Sequence, residues 1–428
     1  MTRATIFARS SGPAPSGVAV FRLSGPLAGP VLDRLCAGRG EARRARLVEV
    51  KGREGGLIDQ GLSLWFPGPR SFTGEDVAEL HLHGSPAVEA ALAEALIGEG
   101  LRPASAGEFT LRAFEAGKLD LAQAEGLGDL LEAETDAQRR QALGQLGGGL
   151  SEVVGRWRSL ILQSLAVLES AIDFADEEGV DDLSASARET VAQLHAEMSE
   201  AVRAAGGARM VRRGTTVVVT GPPNVGKSSL VNKLAGSERA LVSPSAGTTR
   251  DLVETRLDIG GQLVTLIDTA GLREAGEAIE AAGIARAEEA ARSADLRLVV
   301  GTADTIAGPP DAIERSLFVQ NKIDETSNRT PGWLPLSVTT GDGWSTFVEA
   351  LGASLEPAAT GVLTRDRHRH LVEAALISLE PLTNSRALPP EVMSAGLSGS
   401  LRKLEELIGA VSPDHVLGQI FSRFCVGK

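Results

Sequence analysis

The period of apolar and polar positions changes three times along the chain. Up to residue 118, short β-like runs such as Val18-Ala19-Val20-Phe21-Arg22-Leu23 alternate with turn clusters such as Ser10-Ser11-Gly12-Pro13-Ala14-Pro15-Ser16-Gly17, which predicts a small α/β unit over 1–118. Over 119–212 the signal becomes helical: Ile161, Leu165, Leu168 and Ile172 follow at spacings of four, three and four, one face of a helix. From 213 to 355 the β-rich runs Thr216–Thr220, Leu263–Ile267, Leu296–Val300 and Leu317–Val319 alternate with helical stretches, the mark of a doubly wound, mostly parallel sheet. Helical spacing returns over 356–428, with Leu401, Leu404, Leu407, Ile408 and Val411, then Val416, Leu417, Ile420, Phe421 and Phe424. The fold class is therefore multidomain α/β plus α, with the 213–355 unit inserted into a helical domain whose two parts flank it.

Length supports this division, because 428 residues exceed one hydrophobic core and a domain holds roughly 150 residues. No stretch approaches the roughly 20 apolar residues of a membrane span, and Met1-Thr2-Arg3-Ala4-Thr5-Ile6 runs into polar sequence rather than a signal-peptide core. No membrane association and a cytoplasmic location are expected. Only Cys36 and Cys425 are present, which leaves no basis for a disulfide framework or a cysteine-rich metal centre. A net charge of −13 opposes extensive unaided binding to a phosphate backbone, so RNA needs a local basic patch or a partner protein.

The candidate chemistry begins at Gly221-Pro222-Pro223-Asn224-Val225-Gly226-Lys227-Ser228, which fits the phosphate-loop pattern after a strand and before a helix. Backbone N–H groups of such a loop cradle phosphates, Lys227 reaches the β and γ groups, and the Ser228 hydroxyl ligates magnesium. Asn321-Lys322-Ile323-Asp324 follows a later strand and selects the base: Asp324 can accept hydrogen bonds from guanine N1 and N2, which adenine cannot donate in that pattern. Between them lies Asp268-Thr269-Ala270-Gly271, with Asp268 placed to hold magnesium through water and the Gly271 N–H to sense the γ-phosphate. Gly247-Thr248-Thr249-Arg250-Asp251 offers Thr249 as a second hydroxyl ligand of magnesium. The segments around Thr249 and Gly271 are the expected switches. Together these motifs predict a GTP-binding and GTP-hydrolysing protein. Leu272 stands where many GTPases carry a water-orienting glutamine, so that role passes to another group, with Glu274, Glu277 and Glu280 as candidates.

Three further segments carry no generic GTPase signal: Ser71-Phe72-Thr73-Gly74-Glu75-Asp76-Val77-Ala78-Glu79-Leu80-His81-Leu82-His83-Gly84, the stretch from Gly107-Glu108-Phe109 through Gly117-Lys118-Leu119-Asp120 to Glu125, and Cys425-Val426-Gly427-Lys428. With them the chain resembles the MnmE (TrmE) family of tRNA-modifying GTPases over nearly its whole length. The resemblance implies an N-terminal domain that dimerises and binds a tetrahydrofolate derivative, a helical domain, and an inserted GTPase domain. It also implies a flavoprotein partner of the MnmG family, carrying FAD, with which aminomethyl or carboxymethylaminomethyl groups are added at carbon 5 of the wobble uridine of certain tRNAs. An acidic chain suits that division if the partner supplies much of the RNA contact.

Carried over by residue, the resemblance assigns the folate site to Arg22, Glu79, Lys118 and Lys428. Basic groups suit the glutamate carboxylates of a folate, and a carboxylate suits the amino-pyrimidine edge of its pterin. Potassium would be held by Asn224 with Ser243, Ser245 and Thr248, and Glu280 would position the attacking water. Nucleotide contacts extend to Val225, Gly226, Ser229, Pro244, Ala246, Gly247, Thr269, Ala270 and Lys322, and to Ser337, Val338 and Thr339 beside the base. Cys425 is a possible functional thiol near the folate. The sequence departs from the family at Gly12–Gly17, where a Pro-Pro-Gly-Arg-Gly-Gly-like turn is usual, and at Ser337-Val338-Thr339, where a Ser-Ala-Lys type is usual. The competing function is a ribosome-assembly or regulatory switch GTPase. It explains neither the N-terminal segments nor the final tetrapeptide, and would more readily append a basic RNA-binding module.

Overall fold

The computed structural model describes residues 3–173, 180–237, 239–240, 254–268, 294–308, 315–355, 361–384, 388–411, 414–422, 424 and 426–427. Two compact units emerge, one formed by 1–128 with 404–428 and the other by 129–403.

The first unit is built on a six-stranded sheet of order β3-β4-β5-β2-β1-β6, from β1 (Ile6–Arg9), β2 (Ser16–Ser24), β3 (Arg46–Lys51), β4 (Leu57–Phe66), β5 (Val77–Gly84) and β6 (Arg102–Pro103). All pairings are antiparallel except β1 with β6. The alternation visible in Val18–Leu23 is that of a strand with one buried face: Ala19, Phe21 and Leu23 enter the core with Leu80 and Leu82 of β5, and helices α1 (Ala28–Leu35) and α2 (Pro86–Gly98) supply Val31, Leu32, Leu92 and Leu96. The C-terminal segment belongs to this unit. Helix α12 (Asp414–Phe421) brings Phe421 to 6.0 Å, ring to ring, from Phe114 of α3 (Glu108–Glu115). Val426 then forms a bridge with Ala106, and the Ser10 hydroxyl donates to the Gly427 carbonyl at 2.9 Å.

In the second unit, α5 (Asp136–Leu146), α6 (Gly149–Asp173), α7 (Val180–Arg213) and α10 (Asp366–Asn384) form the helical part, together with most of α11 (Pro390–Ile408); α4 (Leu121–Glu132) runs into it from the chain before. The stripe in α6 sits slightly differently from its sequence reading. Ile161 and Leu168 are buried, but Leu165 and Ile172 are half-buried while Ser164 and Ala171 complete the inner face. From Leu150 to Ala171 the buried positions recur at alternating spacings of four and three, and that register puts the small residues Ser164 and Ala171 on the packed face in place of Leu165 and Ile172. Val411 is exposed: it lies beyond the end of α11.

The α/β part of this unit is a seven-stranded sheet of order β13-β12-β11-β7-β10-β9-β8. Strands β7 (Thr215–Thr220), β10 (Gln262–Asp268), β11 (Leu296–Gly301), β12 (Ser316–Gln320) and β13 (Leu334–Pro335) are parallel, while β8 (Arg239–Ala240) and β9 (Glu254–Ile259) form the antiparallel edge. Helices α8 (Lys227–Ser237) and α9 (Trp344–Leu355) contribute Leu230, Leu234, Phe347 and Leu351 to a core shared with β7, β10 and β11. Polar contacts fasten the sheet to the helices around it: Asp295 pairs with Arg213 and accepts the Thr216 N–H at 2.9 Å, and Arg256 pairs with Glu134 at 2.7 Å.

An ionic network organises the N-terminal unit. Arg112, 1% exposed, donates to Glu75 and Glu108, both at 2.8 Å, and to the Ala4 carbonyl at 2.9 Å. Glu108 also takes both terminal nitrogens of Arg102. Burial pushes the Glu108 carboxyl up, but the donors from Arg102, the Ser105 N–H and Arg112 outweigh it and hold its pKa at about 2. A carboxylate depressed in the folded state contributes stability that is complete above its unfolded pKa and is lost as the pH falls through the folded one. Thermal unfolding midpoints should therefore fall between about pH 4.5 and 2, more shallowly in Glu108→Gln than in the wild type. Arg112→Ala should cost about 3–5 kcal/mol in urea unfolding at neutral pH, because two carboxylates lose their buried partner.

Candidate nucleotide site

The site begins where β7 ends. Gly221 turns the chain at φ 143°, and a side chain there would meet the Val300 carbonyl at 2.0 Å; Gly226 sits at φ 94° with the Asn321 amide 2.4 Å from where a Cβ would stand. Glycine at these two positions lets the loop close against β11 and Asn321. Between them Asn224, at φ 64°, is exposed at the lip of the loop. The Lys227 ammonium lies back across the loop, donating to the carbonyls of Gly221 at 3.0 Å and Pro222 at 2.8 Å. Val225 is buried, whereas Ser228 and Ser229 are exposed in the first turn of α8. The Ser228 hydroxyl donates to Asp268 at 2.7 Å, bringing a hydroxyl and a carboxylate together from residues 40 apart in the chain. Hard oxygen donors of this kind suit magnesium.

The base-selecting motif is tied to the phosphate loop through one side chain. Asn321, 3% exposed, donates from Nδ2 to the Val225 carbonyl at 2.8 Å and accepts at Oδ1 from the Val338 N–H at 3.1 Å. Lys322 adopts φ 61° and Asp324 is exposed beyond it. The Ser337 hydroxyl, then the backbone N–H of Asp324 and the Lys322 charge, hold the Asp324 carboxyl below its ordinary value, so it is an acceptor at neutral pH. Ser337 is buried and Thr339 exposed. Because the contact at 338 is made by a backbone N–H, valine preserves it as alanine would.

Two residues that no motif marks brace this arrangement. Lys233 donates to the Val338 carbonyl and stands 4.9 Å from the centre of the Trp344 ring. Lys233 and Val338 are 105 residues apart, and a lysine in mid-helix gives no sequence signal of such a reach.

Two families match by sequence: the GTP-binding protein TrmE N-terminus over residues 5–118 and the MnmE helical domain over 121–425. The chain belongs to the MnmE (TrmE) family. Curated relatives bearing the description tRNA modification GTPase MnmE include proteins of Rhodopseudomonas palustris, 47% identical over 99% of both chains, and Hyphomonas neptunium, 45% identical over 100% of this chain and 99% of that one. The Azorhizobium caulinodans relative is 44% identical over the whole of both. Among solved structures, the G domain of the T. maritima FeoB iron transporter is 23% identical over 33% of this chain and 98% of its own, with a TM-score of 0.24, too low to bear on the fold. Membership makes the chain a GTPase of the MnmE type.

The residues that the MnmE resemblance gathers into a folate site divide. Arg22 and Glu79 are cross-strand partners on β2 and β5, and both Nε and Nη2 of Arg22 reach one Glu79 oxygen, at 3.0 and 2.9 Å. The His81 ring nitrogen lies 3.2 Å from the other oxygen, and the guanidinium stands 5.5 Å from the Phe72 ring centre and 6.0 Å from that of Phe109. His81, Phe72 and Phe109 are thus part of the surroundings of this pair, and strand alternation alone would have put His81 on the face of Glu79. Lys118 is exposed, its stem 3.5 Å from the Cβ position of Gly74. Ser243, Pro244, Ser245, Ala246, Gly247, Thr248, Thr249, Thr269, Ala270, Gly271, Glu274, Glu277, Glu280, Cys425 and Lys428 lie outside the described residues.

Replacing Asn321 by alanine should strand the Val225 carbonyl and the Val338 N–H, at a cost of about 1–3 kcal/mol. If that cost falls on the nucleotide-bound state, the affinity for a fluorescent GDP analogue should drop by roughly one to two orders of magnitude. Lys233→Ala should show a smaller loss in the same titration, and undiminished affinity in both variants would refute the bracing role.

Proposed function

We propose that this chain hydrolyses GTP in a potassium-stimulated manner to drive, as a homodimer with a flavoprotein of the MnmG type, addition of an aminomethyl or carboxymethylaminomethyl group at carbon 5 of the wobble uridine of certain tRNAs. A tetrahydrofolate derivative is the one-carbon source, and the reaction belongs in the cytoplasm. The observation that carries this reading is the bridge through Asn321, which fixes a guanine-selecting carboxylate against a phosphate loop in a chain alike to MnmE proteins from end to end. In this reading the domains are a folate-binding and dimerising unit over 1–118, helical parts over 119–212 and 356–428, and the GTPase unit over 213–355.

Asp324 accepts from the guanine edge, with Asn321, Lys322, Ser337, Val338 and Thr339 around it. Backbone N–H groups of the loop and the start of α8 receive the phosphates, and the Lys227 ammonium exchanges its two loop carbonyls for phosphate oxygens. Ser228, Thr249 and Asp268 would hold magnesium, and Asn224, Ser243, Ser245 and Thr248 would hold potassium; ions bound there would supply positive charge beside the β- and γ-phosphates. Glu280 positions the attacking water in place of the glutamine that Leu272 excludes. Arg22, Glu79, Lys118 and Lys428 bind the folate, with Cys425 as a thiol close by. The Arg22–Glu79 pair supports this assignment, since it presents a cation and a carboxylate side by side on a partly exposed strand face.

Single-turnover hydrolysis in potassium and in sodium tests the catalytic half of the proposal. Potassium should accelerate the wild type and sodium should do so poorly, with Asn224→Ala losing the difference. Glu280→Ala should fall by roughly 10²- to 10⁴-fold with nucleotide affinity little changed. Equal wild-type rates in the two salts would remove potassium from the mechanism. Asp324→Asn should weaken GTP and favour xanthosine triphosphate in competition binding. Loss of wobble-uridine modification in cells lacking the chain tests the substrate.

A further inference from the structure

Against a chain of net charge −13, the packing of α7 against α10 collects arginines. A cavity of about 360 Å³ is lined by Arg203 and Arg209 of α7 and by Arg365 and Arg369 at the start of α10, with Asp366 and Glu373 as the acidic groups of its wall. Four guanidinium groups and two carboxylates line it, and Glu200 and Asp129, outside that lining, pair with Arg203 and Arg365. The acidic partners hold the arginines in place without covering them. Arg209 donates through Nη1 to Asp366 at 2.7 Å and stays 42% exposed; Arg203 pairs with Glu200 outside the cavity, at 2.6 Å, and stays 72% exposed. Arg365 is more enclosed and is anchored on Asp129 at 2.6 Å, and Arg369 donates to Glu373 at 2.6 Å. The buried Nε of Arg369 has no hydrogen-bond partner among the described residues, and an Asp366 oxygen lies 3.9 Å from it, beyond hydrogen-bond reach.

A concave site with several forked donors, two of them pinned and two reaching solvent, matches the tetrahedral oxygens of phosphate better than a planar carboxylate or an apolar ligand. A tethered run of phosphates meets an open, arginine-rimmed cavity at several points at once, where a free phosphate meets it at one. We propose that this cavity grips phosphodiester groups of an RNA strand, giving the acidic chain a basic foothold of its own on tRNA. The inference rests on tRNA being the substrate. It places the contact on the helical part of the second unit, on residues that belong to no nucleotide motif, so that its loss leaves GTP chemistry intact.

The full-length protein is titrated with a labelled tRNA transcript across a series of salt concentrations, as wild type, Arg209→Gln, Arg369→Gln and the triple Arg203→Gln/Arg209→Gln/Arg369→Gln variant. GTP turnover and circular dichroism report whether the fold is kept. The triple variant should bind tRNA at least tenfold more weakly, equally for unrelated tRNA sequences, with the slope of log affinity against log salt reduced by roughly 0.7–0.9 for each phosphate that is no longer neutralised. Arg209→Lys should recover part of the affinity, because it restores the charge but not the fork. Unchanged affinity and slope in a folded triple variant would overturn the proposal and leave the substrate reading standing, as would a wild type that binds no tRNA while its absence still abolishes modification in cells. Competition by inorganic phosphate that is lost in the triple variant, with tRNA affinity unchanged, would also overturn it by showing a small-anion site. Normal wobble modification in cells lacking the chain would instead remove the reading on which the inference rests.

Discussion

The nucleotide site depends on a single amide whose two ends are both committed. Asn321 holds the Val225 carbonyl with its nitrogen and the Val338 N–H with its oxygen, and it is almost completely buried. A buried amide satisfied on both sides has little freedom to rotate, because turning it would strand donors and acceptors away from water. The loop over 221–228 and the segments around Asn321 and Val338 are therefore held at one spacing, although Val225 and Asn321 are 96 residues apart. The glycines follow from that constraint. Gly226 has no side chain because the Asn321 amide occupies the place of its Cβ, and Gly221 has none because the β11 backbone does.

Around this fixed point the polar groups are mutually satisfied. Lys227 rests on carbonyls of its own loop, and Ser228 rests on Asp268. Both arrangements leave a charge or a hydroxyl with a partner inside the protein. The Lys233 contact works outside the motifs, bracing Val338 from α8 with Trp344 beneath. Within Ser337-Val338-Thr339, the contact of Val338 with Asn321 is made through its backbone N–H and so does not depend on its side chain.

The N-terminal unit uses charge in a different way. Arg112 is enclosed, and with Glu75 and the Ala4 carbonyl it joins α3 to the segment before β5 and to the chain start. Arg22 and Glu79 satisfy one another across two strands but remain partly open. The final residues run beside this unit, with Val426 bridged to Ala106 and Gly427 held by Ser10, next to the turn over Gly12–Gly17 where the sequence departs from its relatives. A tail secured by backbone contacts tolerates such side-chain changes nearby. The arginines that line the cavity between α7 and α10 lie in the other unit, where helix packing gathers four guanidinium groups, each with a carboxylate partner.

The sequence by itself determined the identity and order of the nucleotide motifs, the parallel sheet with its helices, the helical segments on either side and the resemblance to MnmE. Each is carried by local spacing: two glycines four apart before Lys227-Ser228, β-rich runs between helices, and a tetrapeptide after a strand. Burial within α6 was legible only to within one position, since periodicity marks a face but packing selects which residues of it touch. Tertiary structure alone decided that Asn321 bridges Val225 and Val338, that Lys233 reaches Val338, that Arg22 and Glu79 pair, and that arginines from α7 and α10 share one cavity. These contacts join residues tens to hundreds of positions apart, and nothing in the local pattern records them. Their energy comes from desolvated polar groups finding partners, which is fixed only when the whole chain has closed around them.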